Sequence, residues 1–267
     1  MSNPKFMNKA LVLLLFTITI TAQDQYSGIV EYQNIINNKN GVSFANPYRL
    51  YFDETTSFYE KIGDAKKLVG NKQKERVGPN GEMISDKIVK SNLPKPYYYT
   101  NTKTNELIFR ESIAQKLYFI RDTIQKIPWQ LHEERKKIGE YTCQKATAKF
   151  RGREYTVWFT SEIPISHGPW KLRGLPGLIV EVSEETGKYE FRATTINLNP
   201  DINEVKDKLK KPDISKIKDL NTYITALKNK YDETMAKARA SLPRGARIMT
   251  DCDVCPDPKN YSLERFE

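Results

Sequence analysis

The stretch Gly168-Pro169-Trp170-Lys171-Leu172-Arg173-Gly174-Leu175-Pro176-Gly177-Leu178-Ile179-Val180-Glu181-Val182 constrains this chain most. Three glycines and two prolines fall within ten residues, and a dense apolar, β-branched run follows. Proline removes a backbone donor and fixes φ, so no helix passes through the segment. The run after it reads as a buried strand. Pro176-Gly177 predicts a type II turn, with Pro176 presetting φ and Gly177 supplying a positive φ. Trp170 is expected as an apolar plug. A phosphate cradle is excluded, because such a loop must open a helix whose free N–H groups face the anion, and here a strand follows. Architecture alone accounts for almost every residue. The functional alternative is a rigid lip, with His167, Trp170, Lys171 and Arg173 as the candidate binding contacts.

The rest of the chain carries β signals on both sides of this stretch. Tyr26–Gln33, Arg49–Asp53 and Thr56–Lys61 read as the first three strands, the last two around a tight Asp53-Glu54-Thr55 turn. Gly63 to Lys95 is polar and is expected to be a long excursion with little structure. Strands resume at Pro96–Thr100, Glu106–Glu111 and Lys116–Asp122. Lys136–Tyr141 reads as a turn region. Cys143–Phe150 and Glu154–Thr160 form a hairpin through Arg151-Gly152-Arg153. Leu178–Val182 pairs with Tyr189–Ile196, whose Tyr189, Phe191 and Ala193 share one face. Pro212-Asp213 then marks a helix start, and Leu220, Ile224, Leu227, Tyr231 and Met235 recur at helical spacing. The expected fold is mainly β: a curved antiparallel sheet or half-barrel over residues 23–200, with a helical extension and irregular tail over 201–267.

Residues 1–22 read as a signal peptide. Lys5 and Lys9 precede the apolar run Ala10–Ile20, and Ala22 offers a cleavage point. The run is too short for a comfortable span. The chain is therefore expected in the periplasm, at the outer-membrane periphery or outside the cell, and peripheral to a membrane at most. Its formal charge of +10 is spread along the sequence, which points to a solvated basic surface and to no specific nucleic-acid partner. There are three cysteines; Cys252 and Cys255 could close a small disulfide loop, leaving Cys143 over.

Chemistry-bearing motifs are sparse. His132-Glu133-Glu134-Arg135-Lys136 has Lys136 where a zinc helix needs its second histidine, so no metal is expected. His167 follows Ser166, but no Gly-x-Ser-x-Gly elbow surrounds a serine. No cofactor is expected either.

Gly174-Leu175-Pro176-Gly177-Leu178-Ile179 spells the motif of the GLPGLI family, which this chain resembles from about residue 26 to 196. Cys143-Gln144-Lys145-Ala146, Phe150–Arg153, Trp158-Phe159-Thr160, Ile163-Pro164-Ile165 and Gly168-Pro169-Trp170 follow that family's order. The resemblance implies an exported protein of Bacteroidota and supplies no catalytic residues. The strand order is also similar, more distantly, to lipoprotein-carrier-like half-barrels. The leading expectation is thus a non-catalytic cell-envelope carrier for an apolar or lipid-like ligand, not an enzyme. Its alternatives are an adaptor for an outer-membrane protein partner and a hydrolase built around His167, Glu162 and Arg173.

Overall fold

The computed structural model describes residues 26–38, 43–68, 93–242 and 262–266. Thirteen strands and two helices follow in chain order. The strands are β1 (Gly28–Asn37), β2 (Ser43–Phe52), β3 (Thr56–Lys61), β4 (Lys66–Leu68), β5 (Tyr97–Asn101), β6 (Glu106–Ile113), β7 (Lys116–Thr123), β8 (Gln130–Ile138), β9 (Tyr141–Phe150), β10 (Arg153–Thr160), β11 (Leu178–Glu184) and β12 (Tyr189–Asn197). After them come α1 (Ile202–Lys208), β13 (Lys218–Asp219) and α2 (Leu220–Ala240).

All strands join one curved, unclosed sheet in the order β13-β7-β6-β5-β3-β2-β1-β12-β11-β10-β9-β8, with β4 branching onto β2. Every pairing is antiparallel except the two-residue contact of β13 with β7. The expected mainly β architecture with a C-terminal helix is the one observed. The two halves of the sheet share one core: Leu107, Phe109 and Ile120 from one side meet Val157, Phe159 and Phe191 from the other. The hydroxyl of Tyr32 in β1 donates to the carbonyl of Ile179 in β11 across this space.

The hairpin turns follow the local chemistry. Arg151 and Gly152 both take positive φ (49° and 74°), as a two-residue turn matching strand twist requires. Asp53 caps its own turn, its Oδ1 accepting from the N–H groups of Thr55 and Thr56.

Three local expectations are corrected. Residues 136–138 are not a turn region: they end β8, an edge strand whose Glu133, Glu134, Arg135 and Lys137 are exposed. An edge strand facing water needs no apolar alternation, and its charges guard against further pairing. The long helix starts at Leu220 rather than after Pro212, because Asp219 is the better cap: its side chain accepts from Thr222 N–H at 2.8 Å. Gly177 does not have a positive φ; Gly174 does, at 90°. Gly177 is instead needed for space, since a Cβ there would lie 2.1 Å from the carbonyl oxygen of Thr160. Most of the polar segment 63–95, and Cys252 and Cys255, lie outside the described residues. No helix among the described residues is long and apolar enough to cross a membrane.

Candidate functional site

The loop joining β10 to β11 turns inward. Ile179 N–H donates to the His167 carbonyl and Gly174 N–H to that of Ser166, which folds the segment onto the start of its own strand. Ile163, Ile165, Leu172 and Leu175 enter the shared core. The four residues expected as contacts on a lip are therefore buried: His167 is 1% exposed, Trp170 4%, Lys171 4% and Arg173 9%. They remain together, lining one narrow cleft along with Ser57, Thr100 and Thr123. Glu162 is not with them; it is exposed and accepts from the Thr142 N–H at 2.7 Å.

Trp170 has φ 58°, a left-handed conformation that costs a bulky residue about 1–2 kcal/mol. Its indole packs against Phe150 (5.9 Å between centroids) and Tyr155 (6.1 Å), which holds it there. This plug was expected; its backbone conformation was not.

Charge is dense around the cleft. Arg151 pairs with Asp122 at 2.6 Å, and Lys171 with Glu264 at 2.8 Å. Arg151 Nε also lies 3.6 Å from Glu264. Lys171 Nζ sits 3.8 Å from the centre of the Phe109 ring. Burial pushes the Glu264 carboxyl up, against the pull of Lys171 and Arg151. Glu264 comes from the short segment 262–266, which docks against the β9–β10 hairpin: Arg265 N–H donates to the Arg151 carbonyl, and the Tyr155 hydroxyl donates to that of Leu263. A tail read as irregular thus supplies a core charge, and nothing local in Ser262-Leu263-Glu264 announced it.

Burial, reinforced by the neighbouring Arg173 guanidinium, pushes His167 down to about 4. Its Nε2 lies 2.9 Å from the Asp53 carbonyl, so in the neutral ring that nitrogen carries the proton and Nδ1 faces Arg173 Nη2 at 3.4 Å. The fold prefers the neutral ring, whereas the unfolded chain protonates near pH 6.5. Stability from this group is complete above pH 6.5 and declines as pH falls toward 4, by about 3 kcal/mol in total. Urea titrations of the protein and of His167→Gln between pH 7.5 and 4.5 should show a smaller acid loss in the variant. Equal losses would place the acid sensitivity elsewhere.

A second cleft lies where β1, β2 and β12 meet, and it has about 400 Å³ of space, counting the part open to solvent. Asn34, Asn46, Tyr48, Tyr189, Glu190 and Phe191 line it, with Leu263. Asn34 faces Asn46 on one neighbouring strand and Phe191 on the other, so sheet register alone assembles this row. Tyr48 stacks on Tyr59 at 4.9 Å, and the Tyr59 hydroxyl donates to Asn34 Oδ1. Glu190 Oε1 accepts from Asn37 at 2.7 Å. The shared face of Tyr189 and Phe191 was the sole sequence signal for this place.

Among the described residues no group of three or more histidine, cysteine, aspartate or glutamate side chains is placed to hold a metal. Cys143 is buried and free, and burial pushes its thiol up to about 11.

The family model described as "N-glycanase peptide, N-terminal domain" matches residues 64–225, more than half of the chain. No relative is found among curated proteins. Two solved structures of PNGF-II, from different crystal forms, are similar at 16% identity and a TM-score of 0.49. They cover 77% of this chain, which spans only about a third of their length (34% and 33%). The family match overturns the expectation of a non-catalytic carrier for an apolar ligand, and with it the expectation that the chain is not an enzyme: the matched family is the N-terminal domain of an N-glycanase. The structure supplies a physical reason against the carrier as well. The concave face that would hold such a ligand is filled by Trp170, Leu172, Leu175 and their neighbours. The chain belongs to the N-glycanase N-terminal domain family.

Proposed function

We propose that this chain takes part in the enzymatic removal of N-linked glycans and that the cleft between β1, β2 and β12 seats a sugar ring of the glycan. The family match over residues 64–225 carries this reading. The cleft supports it chemically. The half-buried ring of Tyr48 suits the C–H face of a sugar, while Asn34 and Asn46 offer amide partners for hydroxyl and acetamido groups. Export through the leader at residues 1–22 would bring the protein to glycoproteins outside the cytoplasm.

The test has two readouts on the mature chain. Incubation with a defined N-glycopeptide, followed by mass spectrometry, should reveal glycan release. Calorimetric titration with N,N′-diacetylchitobiose should show saturable binding that weakens about tenfold in Asn46→Ala, the loss of one hydrogen bond to the sugar. Absence of both release and binding in the unmodified protein would refute the proposal.

A further inference from the structure

We infer that the cleft walled by Arg173, Trp170 and Arg151 is a binding site for a small oxyanion, a carboxylate or sulfate group, with the Arg173 guanidinium as its principal partner. The cleft is separate from the one proposed to seat a sugar ring, so this inference stands or falls without that reading.

Unused donors carry the argument. Among the described residues, Arg173 Nη1, Trp170 Nε1 and Arg151 Nε are buried side-chain donors without a hydrogen-bond partner, and all three belong to residues lining this cleft. Arg151 Nε has only the 3.6 Å ion pair with Glu264. Three residues of one cleft with unused buried donors suit a ligand made of acceptor oxygens.

Charge points the same way. Arg151, Lys171 and Arg173 are buried cations; Asp122 and Glu264 are the carboxylates facing them, and Arg151 and Lys171 engage both. Arg173 is the cation left over. It is nine-tenths buried, and its close polar neighbour is His167 Nδ1 at 3.4 Å, which belongs to a neutral ring. Burial without a counter-charge pulls Arg173 down to about 10. A buried charge without a partner is expensive for a fold, and an anion in the cleft would remove that cost.

The rest of the lining fits. Ser57, Thr100 and Thr123 bring hydroxyl groups that can turn to donate, and Gln125 brings an amide. No helix N-terminus takes part, so this is a side-chain site and not a backbone phosphate cradle. The cleft is narrow, which limits the bound part to a small group, either a free ion or the acid group of a larger molecule such as an acidic sugar.

Calorimetric titration and thermal unfolding of the mature chain, at constant ionic strength with chloride as the balancing ion, test the site. Acetate, sulfate and N-acetylneuraminic acid are the probes. Saturable binding that weakens at least tenfold in Arg173→Gln and in Thr123→Val supports the proposal. Binding of all three probes identifies a free-anion site, and binding of the acidic sugar alone identifies a site for its carboxylate. Arg173→Gln should also unfold at the same or a higher temperature than the unmodified protein in anion-free buffer, since it removes an uncompensated charge. The inference is overturned if no probe binds, or if binding is unchanged in both variants.

Discussion

An Arg153→Met variant should lose about 3–5 kcal/mol of stability, the cost of breaking a buried ion pair from one side. Arg153 and Glu184 are both fully buried and lie 2.9 Å apart. Arg153 also donates through Nε and Nη2 to the Ser262 carbonyl, and its guanidinium lies 5.0 Å from the centre of the Tyr189 ring. The substitution would strand the Glu184 carboxylate. Burial alone would raise that carboxyl, but the Thr186 hydroxyl, the N–H groups of Thr186 and Lys188 and the Arg153 charge outweigh it and hold it below its usual range. With Arg153 gone, the carboxylate keeps those hydrogen bonds but loses the guanidinium paired with it inside the protein. The same change removes the two hydrogen bonds that hold Ser262, which would loosen Leu263 from the cleft between β1, β2 and β12 and Glu264 from Lys171. Urea unfolding should show a lower midpoint. Combining Arg153→Met with Glu184→Leu should restore much of the loss, because an apolar pair leaves no unpaired charge. A single variant as stable as the parent would show that the pair is not a structural keystone.

Gly177→Ala should cost about 3 kcal/mol, at the upper end of overpacking effects. The added methyl would meet the Thr160 carbonyl at 2.1 Å, its carbon at 2.6 Å and Ser161 N at 2.9 Å. These are backbone atoms at the end of β10, so no rotamer change relieves the clash. The loop from 161 to 177 would have to lift away from its strand, carrying Trp170 and Leu175 out of the core. For a domain of this size the melting temperature should fall by roughly 6–12 °C. Gly139→Ala is the control: a Cβ there meets nothing within 4 Å, though its φ of +59° adds a local cost of about 1–2 kcal/mol. If Gly177→Ala proved no worse than Gly139→Ala, the close approach would not be what fixes the loop.

The reading of this glycine shows where sequence reasoning stops. Pro176-Gly177 carries the marks of a type II turn, and those marks are local. The reason for the glycine is the Thr160 carbonyl, seventeen residues back in sequence and packed against it in space, and no propensity encodes that. Strand β8 shows the opposite failure. Its charges hide it because period-two alternation reports burial of one face, and an edge strand in water has no face to bury.

The site residues divide in the same manner. His167, Trp170, Lys171 and Arg173 were legible as a group, since a Gly- and Pro-rich loop gathers its own polar residues. That they would point inward was not legible. Lys171 is buried because Glu264, ninety-three residues later, meets it there. The row of Asn34, Asn46 and Phe191 exists only through register. The expectation of an apolar cavity failed for a related reason: alternation counts apolar residues but does not say whether the chain's own loop or a ligand fills the space between them.

By itself, then, the sequence determined most of the antiparallel strands and their turns, through side-chain periodicity, the capping carboxylate of Asp53 and the positive φ of Arg151 and Gly152. It also determined that the segment from Gly168 to Val182 would be a shaped loop feeding a buried strand. The tertiary structure alone decided that this loop fills the sheet it leads into, and which charges are left inside. Burial energy depends on what lies opposite a side chain, and for Lys171 and Arg153 that is set by chain segments too far away in sequence for any local pattern to name.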